Sequence, residues 1–268
     1  MGGLADSFYE YLLKLYILTG MSDVASLGMY NNAVEAMVRH LTVVTPDNDK
    51  AFLAEFKNGH TVRDMEHLSC FVPGMLALGS SLFKPSLNRN HQDRPLKPQE
   101  NFLMSHSQDH LKLADQLVKG CVASYDAMPT GLGPERFRFD ETGRGPLIEM
   151  VEGRYILRPE TVESIYVLYR MTGEQKYRDM GWRIFQAIER HCKNKCCYSG
   201  IVDVTQDPPE LNNSMQSFFL AETLKYLYLL FSDSDAMPFD RYVWTTEAHP
   251  LPIFGTDAET EKVARSTL

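Results

Sequence analysis

The sequence is 268 residues long, 44% apolar and 23% charged, with a net charge of −8. That length suits one large domain or two small ones of ordinary globular composition. The acidic balance argues against nucleic acid or an anionic membrane as the main partner, and no apolar run approaches the roughly 20 residues of a transmembrane helix.

Asp6 opens the first predicted element, an apolar helix running through Glu10 and Tyr16 to Thr19, with Gly20 as a C-cap that accepts a left-handed backbone. An amphipathic, charged helix is predicted over 24–44, and apolar or amphipathic stretches at 70–84 and 105–128 read as two less regular helical pairs. The segment 85–100, rich in Pro, Asn and charge, reads as a surface loop. Arg154–Leu157 and Tyr198–Val204 read as short strands in connecting loops. A second buried helix runs from Glu163 through Tyr169 to Thr172 and Gly173, followed by an amphipathic one over 174–192. A third begins at Glu222 and passes Tyr228 to Phe231, without the closing Gly.

The three buried helices are copies of one pattern. Each places Tyr six residues after Glu, and the first two close on Thr-Gly and carry a further Gly (Gly28, Gly181) inside the following helix. Helices that are apolar nearly all round are buried on every side, while their amphipathic successors keep one face in water. The fold class predicted is therefore all-α: an incomplete toroid of inner and outer helices with short β segments in its loops. Roughly four hairpins are countable, fewer than a closed ring needs, so the sides of inner helices would be left uncovered.

The repeat also aligns chemistry. Superposing the first two copies puts Asp6 opposite Pro159 and beside Glu160, so both carboxylates belong at the same end of the toroid. Singly, each is what a helix start favours, since acidic groups there meet unpaired N–H groups and the helix dipole. Glu10, Glu163 and Glu222 on buried helices change the balance: five carboxylates facing one axis require a cation or a polar ligand. Thr245-Thr246-Glu247 follows the last inner helix and adds hydroxyl and carboxylate oxygens, a donor set suited to a hard cation such as Ca²⁺. Of the five cysteines, Cys192-x3-Cys196-Cys197 has no histidine following at zinc-site spacing. Asn212-Asn213-Ser214 is an N-glycosylation sequon.

The blocks GGLADSFYEYLLK, HLSCFVPGMLALG, TGLGPERFRF, YILRPETVESIYVLYRMTG, MQSFFLAETLKYLYLLFSD and TTEAHPLPIF, in that order over residues 1–254, resemble the class I α-1,2-mannosidases, family 47 of the glycoside hydrolases. The resemblance implies an (α/α)7 barrel and Ca²⁺-dependent, inverting hydrolysis of terminal α-1,2-linked mannose from high-mannose N-glycans on glycoproteins. It assigns Glu160 as general base and Asp6 as a second catalytic carboxylate acting through water. Thr246 matches the direct Ca²⁺ ligand, with Glu163, Glu222 and Glu247 joined to the ion through waters. Arg158, Phe218, Glu222, His67 and Glu135 match substrate-pocket positions, and Phe218 offers a flat face to a sugar ring. Leu4, where endoplasmic-reticulum members carry Arg, resembles the Golgi and fungal types of broader specificity. Cys70 and Cys121 match the family's disulfide pair; Cys192, Cys196 and Cys197 match nothing.

On this reading residues 1–254 form the C-terminal part of the catalytic barrel and 255–268 a polar tail. A complete domain is nearly twice as long, and its first half supplies the remaining hairpins and the direct general acid. The secretory pathway, Golgi or endoplasmic reticulum lumen, is the expected location, with a membrane anchor expected ahead of this segment. The alternative is an inactive fragment or a glycan-binding, lectin-like homologue.

Overall fold

The computed structural model describes residues 2–84 and 95–256. Most of the expected 85–100 loop and of the polar tail beyond 254 lies outside those residues.

The first hairpin joins α1 (Asp6–Leu18) to α2 (Val24–His40). Thr19 ends α1, and Gly20 follows at φ 60°, the left-handed conformation expected of it. Asp23 caps α2 by accepting the Ser26 N–H at 3.2 Å. The chain then crosses two small antiparallel hairpins, β1 (Thr42–Val44) with β2 (Ala51–Leu53) and β3 (Glu55–Lys57) with β4 (His60–Val62). β5 (Asp64–Glu66) follows and runs into a 3₁₀ turn, His67–Phe71, which opens α3 (Val72–Ser81).

All ten residues of α3 are buried, so it is an inner helix. A short α4 (Pro98–Ser105) leads to the long amphipathic α5 (Ser107–Asp126), which packs on α3 from outside. The stretches 70–84 and 105–128 are thus the inner and outer members of one hairpin, not two pairs. β6 (Arg136–Phe139) and β7 (Ile148–Glu152) join β5 in a three-stranded antiparallel sheet ordered β5-β6-β7. The third hairpin is α6 (Glu160–Thr172) and α7 (Gln175–His191), closed by Gly173 at φ 74°. α8 (Leu224–Phe231) is the last inner helix, and a hairpin of β8 (Tyr242–Trp244) and β9 (Pro250–Pro252) follows it.

Inner helices neighbour one another in the order α1–α3–α6–α8, with α2, α5 and α7 outside. The expected inner–outer alternation is present as an arc. Its middle helices, α3 and α6, expose no large hydrophobic residue. Its ends do: α1 presents Phe8, Tyr11 and Leu15 along one stripe, and α8 presents Tyr228 and Phe231. Inner helices at the ends of an arc keep one uncovered side. The β8–β9 hairpin returns toward α1, with the Phe254 N–H donating to the Leu18 carbonyl at 3.0 Å.

Two strand expectations fail. Arg154–Leu157 and Tyr198–Val204 form no strands and pair only through isolated bridges such as Tyr155 with Ile201. The Cys70–Cys121 disulfide is present and ties the 3₁₀ turn to α5, with a Cα–Cα distance of 6.0 Å.

Candidate active site

A cleft of about 170 Å³ opens at the N-terminal end of α1 and α6. Its lining includes Asp6, Glu10, Glu160, Glu163, Glu222 and Glu247, together with Phe218 and Thr246. The five carboxylates expected from the repeat therefore converge, and Glu247 makes a sixth.

Asp6 is the first residue of α1 rather than its cap; Ala5 is the cap, and the Asp6 carboxylate accepts the Ser7 N–H at 2.9 Å. Glu160 likewise starts α6, with Pro159 one position ahead of the helix instead of inside its first turn. The backbone before it is bent hard: buried Leu157 has φ 68°, a conformation that costs a branched side chain energy. The Leu157 carbonyl accepts the Thr223 hydroxyl at 2.6 Å. Thr223 closes a π-helical turn, Phe219–Thr223, that carries Glu222 into the cleft. Such turns recur at functional sites because the extra residue re-aims a side chain.

Behind the cleft, three expected residues buttress Glu160. His67, 1% exposed, hydrogen-bonds through Nδ1 to Glu160 Oε2 at 2.9 Å and through Nε2 to the Tyr125 hydroxyl at 2.6 Å. Burial pushes the Tyr125 hydroxyl above its usual range, so it keeps its proton; with a proton on Nδ1, His67 donates to the Glu160 carboxylate and accepts from Tyr125 at Nε2. Arg158 forks onto Glu135, with Nε–Oε1 and Nη2–Oε2 both 2.8 Å, and its Nη1 lies 3.8 Å from Glu160 Oε1. Burial opposes the guanidinium charge, but Glu135 and Glu160 outweigh it and raise its affinity for the proton. The β5-β6-β7 sheet sets this arrangement, because β5 leads into His67 and β6 follows Glu135; the His67 N–H donates to the Glu135 carbonyl at 2.9 Å.

Thr246 and Glu247 sit on the turn between β8 and β9. Tyr11 accepts the Thr246 N–H at 3.2 Å, and Lys225 Nζ donates to the Ala248 carbonyl at 2.8 Å. Sequence reasoning missed Tyr11, Lys225, Tyr125 and above all Lys14. Lys14, 8% exposed, hydrogen-bonds Glu10 one turn before it and lies 3.8 Å from Glu163 Oε1. The i, i+4 spacing of Glu10 and Lys14 was the available signal. Glu163 also accepts the Tyr226 hydroxyl at 3.3 Å.

The cleft is charged beyond what these cations offset. Burial pushes Glu222 up to about 7, with Glu160, Glu247 and Glu10 adding to the rise and Lys225 opposing it. Glu163 is pushed well above the usual carboxylate range by burial, against the pull of Lys14. A pocket that raises its own carboxylates in this way favours a cationic or hydroxyl-rich guest. The acidic and threonine residues of the lining supply oxygen donors only. Among the described residues no three His, Cys, Asp or Glu side chains gather tightly enough to hold a metal ion alone. An ion here would lean on the Thr246 oxygens and on water between it and the carboxylates. Leu4 does not line the cleft; it is fully exposed at φ 74°.

The architecture and the site together define an α/α-toroid protein with an acidic cleft at the N-terminal ends of its inner helices. The Glycosyl hydrolase family 47 profile matches residues 1–253, and the chain belongs to that family. It is 40% identical over 268 residues to mannosyl-oligosaccharide 1,2-alpha-mannosidase IB of Mus musculus, covering 100% of this chain and 38% of the relative. It is also 40% identical over 256 residues to mannosyl-oligosaccharide alpha-1,2-mannosidase IA of Spodoptera frugiperda, covering 95% and 35%. Among solved structures, alpha-1,2-mannosidase from Trichoderma reesei superposes with a TM-score of 0.79 at 29% identity, over 94% of this chain and 52% of that one. The chain thus spans less than half the length of these curated relatives and about half of the solved enzyme.

Proposed function

We propose that this chain carries the base side of an α-1,2-mannosidase site that trims terminal α-1,2-linked mannose from high-mannose N-glycans in the secretory pathway. The convergence of six carboxylates, Phe218 and Thr246 in one cleft carries the reading. Glu160 acts as general base on the water that attacks the anomeric carbon, as inverting hydrolysis requires. His67 and Arg158 hold its two oxygens from behind and keep the carboxylate aimed. Asp6, at the start of α1 in the same cleft, handles the leaving-group side through water. Phe218 receives the C–H face of the terminal sugar. Thr246, with Glu163, Glu222 and Glu247 through waters, would hold Ca²⁺, a hard ion matched to this donor set, which when bound anchors sugar hydroxyls and adds Lewis acidity. No helix among the described residues is long and apolar enough to cross a membrane. The Cys70–Cys121 bridge fits an oxidising compartment.

A second reading, in which these 268 residues bind glycan without turning it over, is favoured by the uncovered sides of α1 and α8. One experiment separates them: release of mannose from a nine-mannose glycan, with Ca²⁺ and after chelation, alongside glycan binding. Turnover is expected to depend on Ca²⁺, and Glu160→Gln to lower it by roughly 10²–10⁴-fold while binding survives. Equal turnover by Glu160→Gln and the parent would remove Glu160 as base. Binding with no turnover in either would establish the second reading. Leu4 stands where relatives of narrower specificity carry Arg, so several α-1,2 mannoses should be lost; removal of a single one would contradict that.

A further inference from the structure

Cys196 and Cys197 take no part in the cleft, and their surroundings set them apart from the protein's other cysteines. They lie on a tight turn between α7 and Tyr198, clamped by an Asn194 N–H to Cys197 carbonyl bond of 2.9 Å and a bridge between Lys193 and Tyr198. The Asn194 side-chain oxygen accepts the N–H groups of Cys196 at 3.1 Å and Cys197 at 2.9 Å. The same oxygen lies 3.5 Å from the Cys196 sulfur and 3.4 Å from the Cys197 sulfur. Neighbouring side chains in extended backbone point to opposite faces. Here the turn brings both to one side, and the two sulfurs are 3.2 Å apart. Cys196 is exposed and Cys197 half-buried, whereas Cys192 is buried.

We propose that Cys196 and Cys197 are a redox-active vicinal pair, open as two thiols and closed as a disulfide by exchange with a low-molecular-weight disulfide such as oxidised glutathione. In the first step one cysteine thiolate attacks a sulfur of the small disulfide, forms a mixed disulfide and expels one small thiolate. The neighbouring cysteine thiolate then attacks the protein sulfur of that bond, forms Cys196–Cys197 and expels the second small thiolate. The two cysteines lose two electrons and two protons; the small disulfide gains both and leaves as two thiols.

The compartment permits this, since the fold already holds Cys70–Cys121 oxidised. The geometry makes closure reversible. Adjacent residues joined by a trans peptide have Cα atoms about 3.8 Å apart, below the usual disulfide range of roughly 4.4–6.8 Å. The closed ring is therefore strained, and strained exposed disulfides are the ones small thiols reopen. The hydrogen-bonded Cys197 thiol raises the Cys196 pKa, which lowers its thiolate fraction. Cys192 is an internal control, its thiol pushed up to about 12 by burial.

The test counts free thiols by alkylation after denaturation, and intact mass, before and after exposure of the full chain to oxidised glutathione. Starting from the three free cysteines, the count is expected to fall to one, with loss of two hydrogens and no added group. A reduced dithiol should restore all three, leaving Cys70–Cys121 intact. Cys196→Ser and Cys197→Ser should each stop with one glutathionyl group attached. Resistance of Cys192 to alkylation before denaturation confirms that each variant is folded. The proposal is overturned if the parent keeps three thiols, if it stops at a glutathionyl adduct as the variants do, or if it forms disulfide-linked dimers.

Discussion

Lys14 is the buried cation beneath the cleft, one helical turn from Glu10 and 3.8 Å from Glu163. Burial works against its charge, yet Glu10 and Glu163 hold the ammonium above its usual range. Removing one member of such a group leaves the others buried without a counter-charge, which costs far more than the group itself contributes. Lys14→Met is expected to lower stability by roughly 3–5 kcal/mol, read from urea unfolding midpoints. Combining it with Glu10→Gln should cost less than the sum of the two singles, because the second change removes the charge that the first stranded. Simple additivity would show that the two side chains do not act as a unit. From sequence, a lysine on an apolar helix reads as a side chain reaching for solvent along its own stem. Its partner Glu163 comes from another hairpin, which no local pattern can reveal.

At the scale of elements, the Cys70–Cys121 bridge fixes the 3₁₀ turn that begins with His67 to outer helix α5, across 51 residues of chain. Closing a loop of that length removes about 4 kcal/mol of unfolded-state entropy, so Cys70→Ser should lose about that much at the unfolding midpoint. A loss well under 1 kcal/mol would mean that packing alone holds the turn. The join of α4 to α5 carries a pH signature. His110, 7% exposed, is pushed down to about 4 by burial and by nearby His106, against an ordinary value of 6.5. Above pH 6.5 it is neutral both folded and unfolded and has no effect. As pH falls from 6.5 toward 4 the unfolded chain binds a proton that the folded chain refuses, and stability drops by up to about 3 kcal/mol. His110→Gln should flatten that part of the profile relative to the parent; parallel profiles would show that His110 is solvated. Inner helices α1, α6 and α8 were legible because Glu and Tyr recur at a fixed spacing, with a closing Gly after the first two, and equivalent helices send their N-termini, with Asp6 and Glu160, to one end; α3 carries no Glu or Tyr and fitted less cleanly. The β5-β6-β7 sheet was not: its strands are three to five residues long, and Asp64 pairs with Arg138 across the whole second hairpin. Tyr198–Val204 resembles a strand by residue type, though it finds partners only at single positions. The π-helical turn under Glu222 has no sequence signal at all; it follows from how Thr223 meets Leu157.

For the molecule as a whole, the arc α1–α3–α6–α8 leaves apolar stripes at both ends, with Leu15 42% and Tyr228 74% exposed. Stripes of this kind on a chain in solution drive association. The 268-residue chain is expected to scatter light as oligomers at micromolar concentration, and Leu15→Lys with Tyr228→Lys to raise the concentration at which this begins. Unchanged association in a variant of unaltered helicity would mean that the arc's ends are not the sticky surface. The return of the β8–β9 hairpin to α1 has a consequence in time rather than in space. Thr246 meets Tyr11 across 235 residues, so the two ends of the described chain contribute to one cleft. Local helical hairpins can form as each is synthesised, but contacts of such range close late. While the chain emerges from the ribosome, α1 holds the Glu10–Lys14 pair within itself but waits for Glu163 and for the turn that carries Thr246. The acidic cleft is complete only once Thr246 and Glu247 arrive, and a nascent chain stopped just short of Thr246 would carry every helix from α1 to α8 and no finished site.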